Sequence, residues 1–289
     1  GSINGDISMS NDGGYTWHRT DTLYNIPKKD SKDCEITWIQ FSTRNPLFGY
    51  AIITFASNIN RPNGGIWRTT DGGYHWHPLA LSDTSLWALA VRPNGDKDEI
   101  AIGGFNDLHA TLNPQAGLGV VHTSFDGGAS WVKNDDEFDW LVTTPFTQGD
   151  YHDMKLTNPG IGVFGGDNGN FIFRDFSDPE SPSQKCLSAS NSTMYGDDIL
   201  SVGIIDEENY FAGCNSGKIY LLNRFVSAPK EIKTGYTDDI SAIYLYNSQI
   251  GFFAGANGFM LKTYNQMQSW KKIELQTNKA VNSISFADS

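Results

Sequence analysis

Short runs in which apolar and polar residues alternate, or in which several apolar residues follow one another, recur down the whole chain between clusters of Gly, Asn, Asp and Ser. A period of two between such punctuation predicts β-strands joined by tight turns. Six of the runs form one series: EITWIQF, LWALAVR, HDMKLTN, ILSVGII, ISAIYLY and VNSISFA. Each of the first five opens a unit of the same plan, in which a short turn, a second apolar run ending in Gly or Ala, a small loop and a third strand come after it. The small loop is clearest in GGDNGNFIF (165–173), AGCNSGKIY (212–220) and AGANGFMLK (254–262). No long segment carries a 3.6-residue apolar period, so helix is expected to be scarce. No apolar run approaches the roughly 18 to 20 residues of a membrane-spanning helix, so membrane insertion is not expected.

A second repeat ends the third strand. SNDGGYTW (10–17), TTDGGYHW (69–76) and SFDGGASW (124–131) are one motif, and TYNQMQSW (263–270) is a decayed fourth copy without the Asp and both glycines. The pattern describes a hairpin turn. Asp12, Asp71 and Asp126 are placed to accept N–H groups of their own turns, and the paired glycines supply positive φ. Trp17, Trp76, Trp131 and Trp270 are expected to fold back over their hairpins and add apolar burial between neighbouring sheets. These residues read as structural staples rather than as a site.

The combination GxNGxIxxTxDGGxTW, with a strand of the form SIxFxD before it, resembles the Asp-box (BNR) repeat β-propeller superfamily. It is similar in particular to the photosystem II stability/assembly factor-like propellers, and more distantly to sialidase, xyloglucanase and sortilin propellers. The resemblance spans nearly the whole chain and implies an all-β fold of four-stranded antiparallel blades. Counting the repeated units gives six blades of about 48 residues, inside the usual range of four to eight. Seven blades are the alternative, and the seventh would have to lie in 18–35 or 132–150. The chain is read as a single propeller domain over 1–289, with residues 1–2 a tag remnant. INGDISMSNDGGYTW enters at the third strand of a blade and VNSISFADS supplies an innermost strand, so the two ends are expected to pair, complete one blade and remove exposed sheet edges.

Composition narrows the partners. The 289 residues carry a formal charge of −12, with a pI near 4.8, which argues against nucleic acid because phosphate binding needs a basic footprint. Cys34, Cys186 and Cys214 show no C-x-x-C spacing, so neither a zinc knuckle nor a full disulfide framework is indicated; a Cys186–Cys214 bridge with one free thiol stays open. No cofactor is expected, since there is no phosphate-cradling loop, no G-x-S-x-G elbow and no H-E-x-x-H. Asp107 with His109 and Asp150 with His152 are D-x-H pairs on separate loops without enforced geometry, so no metal site is assigned.

Propeller topology sets the residues ahead of the innermost strands on one rim, opposite the DGG hairpins. Asp33, Glu35, Asp83, Asp150, His152, Asp153, Asp197, Asp198, Asp238 and Asp239 stand there. The long loops 18–35, 56–66, 103–119 and 132–150 fall on the same rim and add Arg61, Asn106, Asp107, His109, Trp140 and Tyr151 as ligand-binding candidates. Two readings compete. Asp and Asn favour turns before strands for local reasons; a ring of carboxylates also focuses negative potential on a cation, a basic peptide segment or a sugar.

The binding reading is a non-catalytic scaffold that recognises a protein client or a glycan, working as a monomer or as a module of a larger protein. The alternative is a glycoside hydrolase using a pair of rim carboxylates about 5 to 10 Å apart. Sialidase chemistry, which the resemblance brings into view, grips its substrate with three arginines. Of Arg19, Arg44, Arg61, Arg68, Arg92, Arg174 and Arg224, Arg61 alone sits in a loop of that rim, so the enzyme reading is the less favoured. The resemblance also implies an extracytoplasmic location, whether secreted, periplasmic or in an organelle lumen.

Overall fold

The computed structural model describes residues 6–20, 34–55, 64–82, 85–105, 119–133, 151–157, 160–175, 183–186 and 194–286. Two short strands, β1 (Ser8–Met9) and β2 (His18–Arg19), form a hairpin. Five four-stranded antiparallel meanders follow. The first holds β3 (Cys34–Phe41), β4 (Gly49–Phe55), β5 (Gly64–Thr69) and β6 (His77–Ser82), and the second β7 (Ser85–Asn94), β8 (Lys97–Phe105), β9 (Gly119–Ser124) and β10 (Val132–Lys133). The third holds β11 (Tyr151–Thr157), β12 (Ile161–Gly166), β13 (Phe171–Asp175) and β14 (Ser183–Cys186). The fourth holds β15 (Ile199–Ile204), β16 (Asn209–Cys214), β17 (Ile219–Asn223) and β18 (Val226–Ile232), and the fifth β19 (Ile240–Leu245), β20 (Gly251–Gly255), β21 (Met260–Thr263) and β22 (Lys271–Lys272). Among the described residues no ladder joins one sheet to another, so no sheet closes on itself. One compact unit spans Gly1–Tyr151 and a second His152–Ser289.

Within each unit, successive sheets pack face to face, and the period-two pattern shows why. Side chains alternate across a strand, so Ala51 and Ile53 of β4 enter a core with Ile7, Ile36, Trp67 and Trp76. Tyr50 and Ile52 of the same strand enter the next core, with Leu89, Val91, Ile100 and Ile102 of the second sheet. In the second unit Tyr210 and Ala212 face Val163 and Phe173 of the third sheet, whereas Phe211 faces Phe253 and Leu261 of the fifth. Both faces of these strands are dry, which is why they read as nearly continuous apolar runs.

The first strand of four meanders carries a register shift near its start, at Ile36/Trp38, Leu86/Ala88, Ile199/Ser201 and Ile240/Ala242. Such bulges re-aim side chains. Hydroxyls there reach the following sheet of the same unit: Thr37 donates to the Leu86 carbonyl and Ser201 to that of Ile240, each at 3.0 Å. Ser241 donates in the same way to Val281, also at 3.0 Å.

That last bond locates the expected strand VNSISFA. Val281 starts it as Leu86 and Ile240 start theirs, its N–H donates to Gly255 at 2.9 Å, and Phe286 packs on Tyr244 and Phe252. Yet residues 281–286 form no strand. The run has the predicted place without the predicted ladder, because among the described residues no segment pairs along it. Cys214 is a free, buried thiol, so the Cys186–Cys214 bridge is not formed; burial pushes its pKa up.

The DGG turns share one hydrogen-bond scheme. Asp12 accepts the Thr16 N–H at 2.9 Å, Asp71 that of His75 at 3.0 Å and Asp126 that of Ser130 at 2.9 Å. A hydroxyl two residues before each carboxylate donates to it and accepts the second glycine's N–H, as Ser124 does with Gly128 at 2.7 Å. The Thr16 hydroxyl above all holds Asp12 down to about 2. The Ser130 N–H, against opposing burial, holds Asp126 at about 2. Because these folded-state values lie below the ordinary 3.8, the stabilisation is full above the unfolded-state pKa and is lost as pH falls from about 4 through about 2. An Asp126→Asn variant is expected to flatten that part of the stability profile, read by denaturant midpoints at pH 5, 4, 3 and 2.

The decayed copy keeps the scheme without the glycines. Asn265 accepts the Ser269 N–H at 3.0 Å, and Gln266 and Met267 take φ of 54° and 62°. A side chain at positive φ costs about 1 kcal/mol or more. Gln266 is exposed, so Gln266→Gly is expected to stabilise the protein by about 0.5 to 1 kcal/mol, seen as a rise in Tm. The Trp at the end of each hairpin packs toward the preceding sheet or hairpin in three copies, at Trp76, Trp131 and Trp270. Trp17 instead is 64% exposed.

Candidate functional site

The second unit carries a chain of polar contacts along one rim, built from the turns between the second and third strands of its sheets. These are Asp167–Gly169, Asn215–Gly217 and Ala256–Gly258. Their middle residues, Asn168, Ser216 and Asn257, have φ of 55°, 59° and 58°. Their glycines have φ near 70°, and a Cβ on each would lie 2.0 to 2.3 Å from the carbonyl oxygen of Met194, Tyr236 or Thr277. The small-loop motif is thus a requirement of both backbone conformation and close approach.

Asp198 stands immediately before β15 and accepts the Asn168 N–H of the third sheet at 3.0 Å; Asp239, immediately before β19, accepts the Ser216 N–H of the fourth at 2.8 Å. Asn215 Nδ2 also donates to Asp198, at 3.3 Å, and Asn257 Nδ2 donates to Asp238 at 3.2 Å. Asp198 and Asp239 therefore each tie their own sheet to the one before it, a bond worth about 1.5 to 3 kcal/mol when the acceptor is charged. At the start of the rim His152 Nε2 meets Asp167 Oδ1 at 2.6 Å.

Beneath the rim, Asp197 takes both carboxylate bonds from Lys218 Nζ, at 2.6 and 2.8 Å, and one from the Tyr220 hydroxyl at 2.7 Å. The hydrogen bond to Asp197 raises the Lys218 pKa, and burial followed by the Asp197 bond raises that of Tyr220. Asp198, Asp238 and Asp239 are half-buried and have no Lys or Arg partner among the described residues. Tyr195 and Tyr236, on the segments that carry them, are 58% and 38% exposed.

Of the sequence candidates, Asp33, Arg61, Asp83, Asn106, Asp107, His109, Trp140 and Asp150 lie outside the described residues. Glu35 is exposed on β3 of the first unit. The structure brings His152, Asp198 and Asp239 onto the one rim. Tyr151 and Asp153 are buried inside β11 rather than ahead of it. Asp153 accepts Lys155 Nζ at 2.8 Å and the Val202 N–H of β15 at 2.9 Å, which directs it into the protein. Residues not singled out beforehand are Asp167, Asn215, Ser216, Lys218 and Asn257. Their signal was present in the aligned GGDNG, GCNSG and GANG turns, each followed by an acidic pair or its replacement before the next strand. Among the described residues no group of three or more His, Cys, Asp or Glu is gathered to hold a metal, and no helix is long and apolar enough to cross a membrane.

No family model and no curated protein matches this chain. Solved structures do. YCF48 bound to a D1 peptide matches at 13% identity over 83% of this chain and 83% of that one, with a TM-score of 0.45. YCF48 from Cyanidioschyzon merolae matches at 13% identity over 86% and 90%, with a TM-score of 0.40. The Niastella koreensis GH74 enzyme matches at 12% identity and a TM-score of 0.58 over 94% of this chain, which spans 44% of that enzyme's length. Taken with its four-stranded antiparallel meanders, which pack face to face within each unit, the likeness to the GH74 enzyme is one of fold, an all-β arrangement consistent with a β-propeller.

Proposed function

We propose that this chain is a non-catalytic binding scaffold of the Asp-box kind, which engages a protein client through the acidic rim of the second unit. The observation that carries this reading is the set Asp198, Asp238 and Asp239. These carboxylates are fixed by turn N–H or Asn side-chain donors before any ligand arrives and are left without a cationic partner among the described residues. Preorganised charge of one sign favours a partner of the other and limits the ordering cost of binding. The exposed rings of Tyr195 and Tyr236 add faces on which a guanidinium or ammonium can stack. The client chemistry is therefore a segment rich in Arg or Lys. The hydrolase alternative has no observation of its own, because the likeness to the GH74 enzyme is one of fold.

The scaffold proposed is a single ring of six blades, in which the β1–β2 hairpin and residues 281–286 belong to one blade and cover Trp17. Two facts support it: Val281 is positioned as the start of an innermost strand, and the other three hairpin Trp residues pack toward a preceding neighbour. An extracytoplasmic setting is part of the same proposal. The test is retrieval of partners from the native source beside a glycan array, with Asp198→Asn/Asp238→Asn/Asp239→Asn as the comparison. Asn keeps an acceptor for the turn N–H groups and removes the charge. A protein partner lost by the variant supports the reading. A partner retained unchanged, or a neutral glycan bound equally by both forms, overturns it.

A further inference from the structure

The latch between turn and carboxylate is made twice in the second unit and broken once. Asn168, Ser216 and Asn257 occupy the same left-handed position, and the glycine after each lies against a carbonyl of the next segment, at Met194, Tyr236 and Thr277. The three turns therefore meet the segment leading to the next blade in the same way. In two copies the exposed N–H is taken by the residue immediately before the next strand, Asp198 or Asp239. The third copy aligns through Val281, which accepts the Ser241 hydroxyl as Ile240 accepts that of Ser201. The residue immediately before Val281 is Ala280, and before it stands Lys279 in place of Asp197 and Asp238.

We propose that this third turn is a receptor for a carboxylate brought by a ligand. The group enters where the Asp198 and Asp239 side chains enter in the preceding copies, accepts the Asn257 N–H and pairs with the exposed ammonium of Lys279. The turn is held ready for it: Ala256 N–H donates to the Asp239 carbonyl at 3.2 Å, Phe259 N–H closes onto Ala256 at 2.9 Å, and Asn257 Nδ2 is engaged by Asp238. Among the described residues no carboxylate meets the Asn257 N–H or Lys279. Asp238 and Asp239 nearby repel a dianion more than a monoanion, so the site selects a single carboxylate over phosphate. It lies at the end of the acidic rim and shares Asp238 with it, but it takes a ligand group of the opposite sign, so it is tested apart from that rim's partner.

The test is an amide-resolved NMR titration of the whole chain with acetate, a peptide bearing a free C-terminal carboxylate, and glucuronate. Acetamide, the amidated peptide and glucose serve as neutral counterparts. The Asn257 and Gly258 amides are expected to shift and saturate with the acids and to stay still with the neutral forms. Lys279→Ala is expected to weaken the response several-fold. Ala280→Asp supplies the carboxylate from the chain itself, and is expected to abolish the response and raise Tm. A peptide response at concentrations where glucuronate is silent assigns a chain terminus as the source; the reverse assigns an acidic sugar. Asn257 and Gly258 unmoved by all three acids, or an Ala280→Asp variant that responds like the parent, overturns the proposal.

Discussion

A Gly217→Ala variant is expected to lose more than about 3 kcal/mol of stability, because two penalties act together. Gly217 has φ of 71°, where a Cβ is strained, and that Cβ would lie 2.3 Å from the Tyr236 carbonyl oxygen and 2.9 Å from Thr237 Cα. Those atoms are backbone, so no rotamer change relieves the overlap. Moving the segment also drags Asp239 away from the Ser216 N–H. Gly235 provides the control, since its φ is 81° but a Cβ added there would meet nothing within 4 Å. Gly235→Ala is expected to cost only the conformational term, about 1 kcal/mol. Denaturant midpoints of the two variants separate strain from collision, and equal losses would show that close approach of the turns contributes nothing.

Trp76→Ala is expected to cost about 3 to 5 kcal/mol. The indole is 2% exposed, packs with Ile7, Ile36 and Ile53, and donates from Nε1 to the Gly73 carbonyl at 3.0 Å. The same substitution at Trp17 reads the proposed ring. Trp17 makes the equivalent bond to Gly14 at 3.0 Å, but its ring is open to solvent on the hairpin. A blade completed around that hairpin covers the ring and makes Trp17→Ala comparable to Trp76→Ala in equilibrium unfolding. A loss under about 1 kcal/mol, no more than an exposed side chain costs, contradicts closure.

The strands were legible because alternating or nearly continuous apolar runs stand between clusters of turn residues. EITWIQF, LWALAVR, HDMKLTN, ILSVGII and ISAIYLY all became first strands of four-stranded sheets, and alternation divided Tyr50 and Ile52 from Ala51 and Ile53 as a two-faced blade requires. VNSISFA carries the same pattern, but a pattern predicts a face and not a partner, and its ladder is absent among the described residues. The rim was half legible. Asp198 and Asp239 are recognisable as acids before strands, yet their bonds to Asn168 and Ser216 join residues 30 and 23 apart, a relation that emerges only once consecutive sheets are stacked. Asp153 was misplaced by the same short-range logic: one residue of strand register decides between a rim and an interior carboxylate, and the strand begins at Tyr151.

The most direct test of the acidic rim is a calorimetric titration with an extended Arg-rich peptide and its Glu-substituted counterpart, at low and high salt. Both the native chain and the Asp198→Asn/Asp238→Asn/Asp239→Asn variant are titrated. The basic peptide is expected to bind the native chain with an affinity that falls as salt rises, and to bind the variant at least about tenfold more weakly, a difference of about 1.4 kcal/mol. Equal affinity of the two forms for the basic peptide, or preference of the native chain for the Glu-substituted peptide, would contradict it.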